Sequence, residues 1–278
     1  MLMYGLNLHL HVSVIMRRDP MTTRWHSLTA LGLLTSLLLM GCGAYTTPSA
    51  VQVPGREATT KSAALETGAA MLQAMPPIQQ LNLYLDGFHF YANDMGHQIE
   101  AHHYCAMLNE EFHQCAIYDA NGADAKLIGI EYIVSERLFA QLSPDEKAFW
   151  HSHDYEVKSG QLIMPGIPTR VEHEAMEKLV TTYGKTWHVW HTDRGDQLPY
   201  GIPQLMMGFT QDGQANPELL QIRDRRFDIS TDAKARDRQN IPKPTVQPGA
   251  NAWQDGNTVQ LDTTQVPVRN IRRGREVR

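Results

Sequence analysis

Residues able to do chemistry crowd into one stretch, 98–119 (QIEAHHYCAMLNEEFHQCAIYD), which holds His102, His103, His113, Cys105, Cys115 and three glutamates, Glu100 among them. A second group follows at His151-Ser152-His153, and between the two Glu131 stands in an apolar run, KLIGIEYIV. Imidazole with carboxylate is a donor set for zinc or iron. On an extended segment His151 and His153 point the same way, because side chains alternate with period two; adjacent His102 and His103 point to opposite faces, so one of them joins a site readily. The candidate metal set is therefore His151, His153, one of His102 and His103, and a carboxylate from Glu100 or Glu131, around zinc or iron. Three ligands and an open position would make such a site catalytic. The same groups, with Tyr104 and Tyr155, also form a sensible buried polar network in which each hydrogen-bonds another. Two carboxylates and a histidine can do acid–base work without metal. Were a helix to continue through His153, the two histidines would diverge by about 200° and the site would fail.

Other arrangements that would announce a reaction are missing. The sequence has no G-x-S-x-G elbow, G-x-G-x-x-G, P-loop or H-E-x-x-H. A cysteine-protease reading of Cys105 or Cys115 has little behind it, since both sit in apolar strand text. His151-Ser152-His153 with Glu156 and Gly160 faintly resembles a cupin metal motif, with the glutamate too early and the partner motif absent. Arg194-Gly195-Asp196 reads as a surface turn. The net charge of −5 gives no basic stripe for nucleic acid, so none is expected as a partner.

The elements that must position these residues read as follows. Residues 61–75 form a helix ended by Pro76-Pro77. Residues 80–91 are strand-like, restarting after Asp86-Gly87. Residues 98–119 read as a hairpin about Asn109-Glu110-Glu111, with Leu108 opposite Phe112, Met107 opposite His113, and Cys105 opposite Cys115; a helix over 98–108 is the alternative. Facing cysteines in a hairpin are near disulfide range, and two free buried thiols fit equally well. Residues 126–134 make a strand carrying Glu131, and Ser135 caps a short helix. Ser143-Pro144-Asp145-Glu146 is a capping box whose helix runs into Trp150, and 155–164 reads as strand. Thr169 and Glu172 make a second capping box for a helix with Gly184 as its C′ residue, and 187–191 is an aromatic strand. Residues 198–210 look irregular. The sum is an α+β fold, a single domain with an antiparallel sheet and several short helices, over 61–212; 213–278 is expected to be a polar, partly disordered tail.

The front end reads as an address. Residues 28–40 are a thirteen-residue apolar run behind arginines, too short to span the roughly 20 residues a membrane helix needs, so 1–41 is expected to be a signal segment, with 1–20 an overlong start. Leu39-Met40-Gly41-Cys42 resembles a bacterial lipobox, which implies cleavage before Cys42 and acylation of that cysteine by chains such as palmitate. The expected partner is thus a membrane, reached through a lipid anchor, in the cell envelope; Gly43 favours the outer membrane by analogy with lipoprotein sorting. Residues 42–60 would be a mobile tether.

The blocks HFYANDM (89–95), 98–119, LIGIEYIVSE (127–136), WHSHDYEVKSG (150–160), TYGKTWHVW (182–190) and DRGDQLPYGIPQLMM (193–207) together resemble the oil-body-associated protein family, otherwise a domain of unknown function. The resemblance implies a role at lipid and supplies no catalytic residue. Members that work in the cytosol carry a similar cysteine pair, which argues against an obligatory Cys105–Cys115 disulfide.

Overall fold

A computed structural model describes residues 46–267. Cys42, the signal segment and the terminal arginines lie outside the described residues. Within them the antiparallel sheet is more than a sheet: it closes on itself.

Seven strands make it, β1 (Leu83–Tyr91), β2 (Asp94–Asn109), β3 (Phe112–Tyr118), β4 (Leu127–Ser135), β5 (His151–Ser152), β6 (Thr182–His188) and β7 (Gln204–Met207). The order β4-β3-β2-β1-β7-β6 is joined end to end by pairing of β4 with β6, giving a six-stranded antiparallel barrel. The short β5 lies on the same edge of β6 as β7, opposite Tyr183 and Gly184, while β7 takes Thr186 to His188. Closure leaves no free edge along the body of the barrel.

Alternation then divides the strands. Leu85, Cys105, Cys115 and Ile133 point into one interior cluster, and Tyr91, Ala101, Ile117 and Met206 into another. Ile130 and Tyr132 face outward and are partly exposed. The β2–β3 register places Met107 opposite His113 and Cys105 opposite Cys115, and the cysteines are joined by a disulfide. The turn differs by one residue from the expected pairing. Phe112 pairs with Asn109, and Leu108 is accommodated by a bulge.

Helices precede and connect the strands. α1 (Thr60–Leu72) ends before Pro76-Pro77, which instead starts the short α2 (Pro76–Gln79), a position where the missing amide hydrogen costs nothing. Ser135 caps α3 (Glu136–Ala140) and Ser143 caps α4 (Pro144–Lys147), each accepting from an amide three residues on. α4 stops after one turn, so His151 is on a strand. The text 155–164, expected as strand, starts with α5 (Asp154–Lys158), and α6 (Thr169–Leu179) begins after Pro168 without a side-chain cap. Gly184 and Trp187 belong to β6, and 198–210 contains the closing strand β7.

The largest departure is at the C-terminal end. Residues 213–256, expected to be a polar tail, include α7 (Pro217–Phe227) and α8 (Thr231–Asp237), and they cover the outer wall where Phe88, Phe90, Leu205, Met207 and Phe209 project. Leu219, Leu220 and Trp253 pack on that cluster. The domain therefore extends well past residue 212. Residues 46–51, expected to be a mobile tether, are also fixed: Thr47 bonds to Asn121 and Gly122, Ser49 to Asp119 and Asp124, and Val51 is buried. No helix among the described residues is long and apolar enough to cross a membrane.

Candidate metal centre

Four imidazoles converge on one carboxylate inside the barrel. β4 contributes Glu131, β2 His103, β1 His89, β5 His151, and the start of α5 His153; all five are buried. Glu131 Oε2 is 2.9 Å from His103 Nε2 and 3.9 Å from His89 Nε2; its Oε1 is 3.2 Å from His153 Nε2 and 3.5 Å from His151 Nε2. Donors bound to one ion at about 2.0–2.2 Å in tetrahedral geometry lie roughly 3.3–3.5 Å apart, a range that the spacings here bracket from 2.9 to 3.9 Å. Two sets of donors mutually close enough to share an ion overlap at one residue: His89, Glu131 and His151, and His151, His153 and Glu156.

Two barrel glycines make the convergence possible. Gly184 lies between Ile133 and His151 in the sheet, and a Cβ there would overlap Glu131 Oε1 while coming within 2.7 Å of His153 Nε2 and 2.8 Å of His151 Cε1. A Cβ on Gly208, just past β7, would come within 2.7 Å of Glu156 Oε2 and 3.0 Å of His151 Cδ2. The missing side chains are the space that the cluster fills.

The outward partners of the histidines fix how the inward nitrogens are protonated. His103 Nδ1 is 3.0 Å from the carbonyl of Ala101, which can only accept, so this nitrogen carries hydrogen. His153 Nδ1 is 2.8 Å from Thr182 Oγ1; that hydroxyl spends its own hydrogen on Leu179 O at 2.7 Å, so again the ring donates. With hydrogen on the outer nitrogen alone, His103 and His153 would turn Nε2 lone pairs toward a carboxylate, which is itself only an acceptor; His89 Nε2 lies 3.3 Å from that of His103. Two further protons or one metal cation would reconcile them. An imidazole that donates outward to a carbonyl or hydroxyl while presenting its other nitrogen inward is the outer-shell pattern of metal ligands.

The rest of the cluster is short of protein partners. Neither ring nitrogen of the fully buried His151 has a hydrogen bond, and His188, whose Nε2 is 3.2 Å from His89 Nδ1, leaves Nδ1 unpartnered. Burial holds His151 and His188 neutral, with pKa pushed down to about 3, against the pull of Glu131; burial takes His89 well below its usual range. Burial alone would raise Glu131; positive charge at the facing Nε2 positions of His103 and His153, from added protons or from a cation, outweighs it and holds the carboxylate well below its usual range. Glu156 is driven well above the carboxylate range by burial, then by Glu131 and Asp154. Beside these groups the enclosed cavity measures about 10 Å³, the room of about one water.

Of the residues singled out from sequence, His103, His151, His153 and Glu131 are brought together. His102 and Glu100 stay out of that cluster and form, with Asp86, a separate group whose donor atoms are close enough to share an ion. His102 faces the outer side of the wall, where Nδ1 is 2.8 Å from Tyr84 Oη and 3.0 Å from Asp86 Oδ2. Arg226 takes Glu100, and Arg223 lies 3.3 Å from Asp86, so both carboxyl groups already have guanidinium partners. His89 and His188 escaped the sequence reading, and Glu156 entered it only through a faint cupin-like spacing. Unbroken alternation from Leu85 through Gly87 to His89 would have put His89 on the inner face; Glu156 needed the helix after His153, which the strand-like text hid.

The family model for proteins of unknown function DUF1264 matches residues 75–242, which contain this whole cluster. The chain is 45% identical over 220 residues to oil body-associated protein 1A of Zea mays, covering 78% of this chain and 92% of that protein. It is 42% identical over 228 residues to oil body-associated protein 1B of Arabidopsis thaliana, covering 81% and 95%. With oil body-associated protein 2A of Arabidopsis thaliana it shares 46% identity over 194 residues, 69% of this chain and 78% of the relative. No solved structure matches. The chain belongs to the DUF1264 family, with the oil body-associated proteins as its relatives.

Proposed function

We propose that the barrel is a binding site for one divalent transition-metal ion of the zinc or iron class, with His151 as the ligand common to both donor sets and Glu131 as its charge-compensating partner. The observation that carries this is the orientation of His103 and His153: their outer nitrogens are committed to Ala101 O and Thr182 Oγ1, which leaves two Nε2 lone pairs facing a carboxylate that can itself only accept. A cation resolves that conflict without placing extra protons in a buried site. The adjoining space suits a water or hydroxide as the remaining ligand and is too small for an organic substrate, so any chemistry starts from a metal-bound water. Metal analysis of the purified full-length chain tests the reading. About one equivalent of zinc or iron per chain is expected, falling by about tenfold or more in His151→Ala with His153→Ala and unchanged in His102→Ala. Stoichiometric metal failing to bind after reconstitution, or binding indifferent to the double substitution, overturns it.

A second reading concerns where the barrel works. The lipobox-like Leu39-Met40-Gly41-Cys42 behind a short apolar run supports a bacterial lipoprotein of the cell envelope, more in keeping with the outer membrane than the inner, anchored through acylated Cys42. The names of the relatives add an association with lipid bodies, so a part in binding or organising lipid is included in this reading. Fractionation checks it: the wild-type chain is expected with membranes and Cys42→Ser in the soluble fraction, and an unaltered distribution would sink the anchor.

A further inference from the structure

One end of the barrel holds a chamber. Five barrel strands reach it with one lining residue each: Leu83 begins β1, Met107 lies near the end of β2, His113 near the start of β3, Ser135 ends β4 and Thr182 begins β6. Met164, Ala175 and Leu179 line it from the side of α6, and the space measures about 390 Å³. Barrel mouths of this size are where small ligands bind. Met107, 58% exposed at the rim, is an unbranched side chain that adapts to what it meets.

The chamber lies one layer of side chains from the metal centre. Leu85, Cys105, Cys115, Ile133 and Leu179 make that layer, with Leu83 and Ala175 packed against it from the chamber. Leu85, Ile133 and Leu179 are also walls of the small space beside Glu131, so Leu179 borders both. Along β4 the step from Glu131 to Ser135 is four residues, about 13 Å.

We propose that this mouth is a binding chamber for a small, uncharged, largely apolar alcohol, and that it serves the metal centre beneath it. Charge and hydrogen bonding define the occupant. Lys178 and Glu110 at the rim pair with each other at 3.4 Å, and burial lowers His113 below the usual histidine range, so the lining carries no net charge near neutral pH. An ionised ligand would lose water there and meet no spare counter-charge. The hydroxyls of the lining have spent their hydrogens within the protein: Ser135 Oγ donates to Glu111 Oε1 at 3.0 Å, Thr181 Oγ1 to Lys178 O at 3.2 Å and Thr182 Oγ1 to Leu179 O at 2.7 Å. They can only accept from a ligand. An alcohol has a hydrogen to give them, whereas a ketone or an ester has none, and its aliphatic stem suits Leu83, Met164 and Leu179. Service to the metal centre rests on the metal reading above; the chamber and its occupant do not.

The test uses the full-length chain and the uncharged fluorophore N-phenylnaphthylamine, displaced by octanol or by octanoate at neutral pH. Saturable fluorophore binding is expected, with octanol displacing it at a concentration at least about tenfold below octanoate. Absence of saturable binding, or octanoate competing as well as octanol, overturns the proposal. Ala175→Trp fills the chamber and is expected to weaken octanol by about tenfold or more; Met107→Trp, at an exposed position that leaves the barrel packing in place, is expected to act in the same direction at an unchanged thermal midpoint. Octanol affinity indifferent to both substitutions also overturns it. Zinc content of the same samples reads the metal centre separately. Octanol displacement in a chain that takes up no metal keeps the chamber and rejects its service to a metal, and one equivalent of zinc without displacement rejects the chamber alone.

Discussion

His151 is the residue on which the interior chemistry turns, since it belongs to both donor sets and has no hydrogen bond of its own. Its environment depends on an absence, the side chain of Gly184. Gly184→Ala pushes a methyl group into Glu131, His151 and His153 at once, and the rigid β6 backbone gives it nowhere to go. Overpacking of this kind costs about 1–3 kcal/mol, and here it also spreads the donors. The expected result is a lower midpoint in thermal unfolding together with loss of bound metal. Gly68→Ala in exposed α1 meets nothing within 4 Å and should be neutral or stabilising by up to about 1 kcal/mol. Equal effects at the two positions would mean that Gly184 is no special spacer. At this scale the sequence was legible where parity alone decides: His102 and His103 must part, and His103 is the one that turns inward. It was illegible where a partner comes from far away. Thr169 and Glu172 have capping-box spacing, but Glu172 is drawn inward to accept from Met164 N at 2.9 Å and to meet Arg238 at 3.3 Å, contacts no local pattern contains.

Between elements, the seam joining β1 and β2 to α7 carries its own titration. Glu100 is pushed up from 4.5 to about 8, first by burial and then by the charge of Asp86, with Arg226 opposing. A carboxyl whose folded pKa is raised holds its proton in the native state after the unfolded chain has lost it. The native state therefore binds more protons between pH 4.5 and about 8, and stability falls as pH rises through that window. The limiting slope for one proton is about 1.4 kcal/mol per pH unit. Glu100→Gln removes this contribution, so denaturant unfolding between pH 5 and 8 should show a flatter pH profile than wild type; parallel profiles would assign the dependence elsewhere. The hairpin of β2 and β3 was readable because alternation and turn length fix register, and it delivered the facing cysteines. The β5–α5 segment was not, because His151 and His153 reach the same carboxylate from a strand and from a helix start, a geometry that neither periodicity describes.

For the whole molecule, the apparent boundary near residue 212 makes a decisive experiment. Segments 213–278 read as polar because their anchoring residues are arginines, yet Arg223 and Arg238 are fully buried. Arg223 donates to Gln161 O at 2.7 Å and Thr231 Oγ1 at 2.9 Å and pairs with Asp86, while Arg238 donates to Val157 O and Leu162 O at 2.9 and 2.8 Å. Backbone carbonyls of α5 and its following loop thus replace water around both cations, which lets charged side chains serve as core. A chain stopped at 212 would strip Asp86 and Glu172 of their counter-charges and bare Phe88, Phe90, Leu205, Met207 and Phe209 along the barrel wall. It is expected to lack a cooperative thermal transition and near-ultraviolet dichroism. Arg223→Ala in the intact chain leaves Asp86 buried with His102 alone and should cost about 3–5 kcal/mol by denaturant unfolding. A truncated chain that unfolds cooperatively at the wild-type midpoint would return the C-terminal segment to the status of a tail, and would leave the barrel able to hold its histidines without the outer layer.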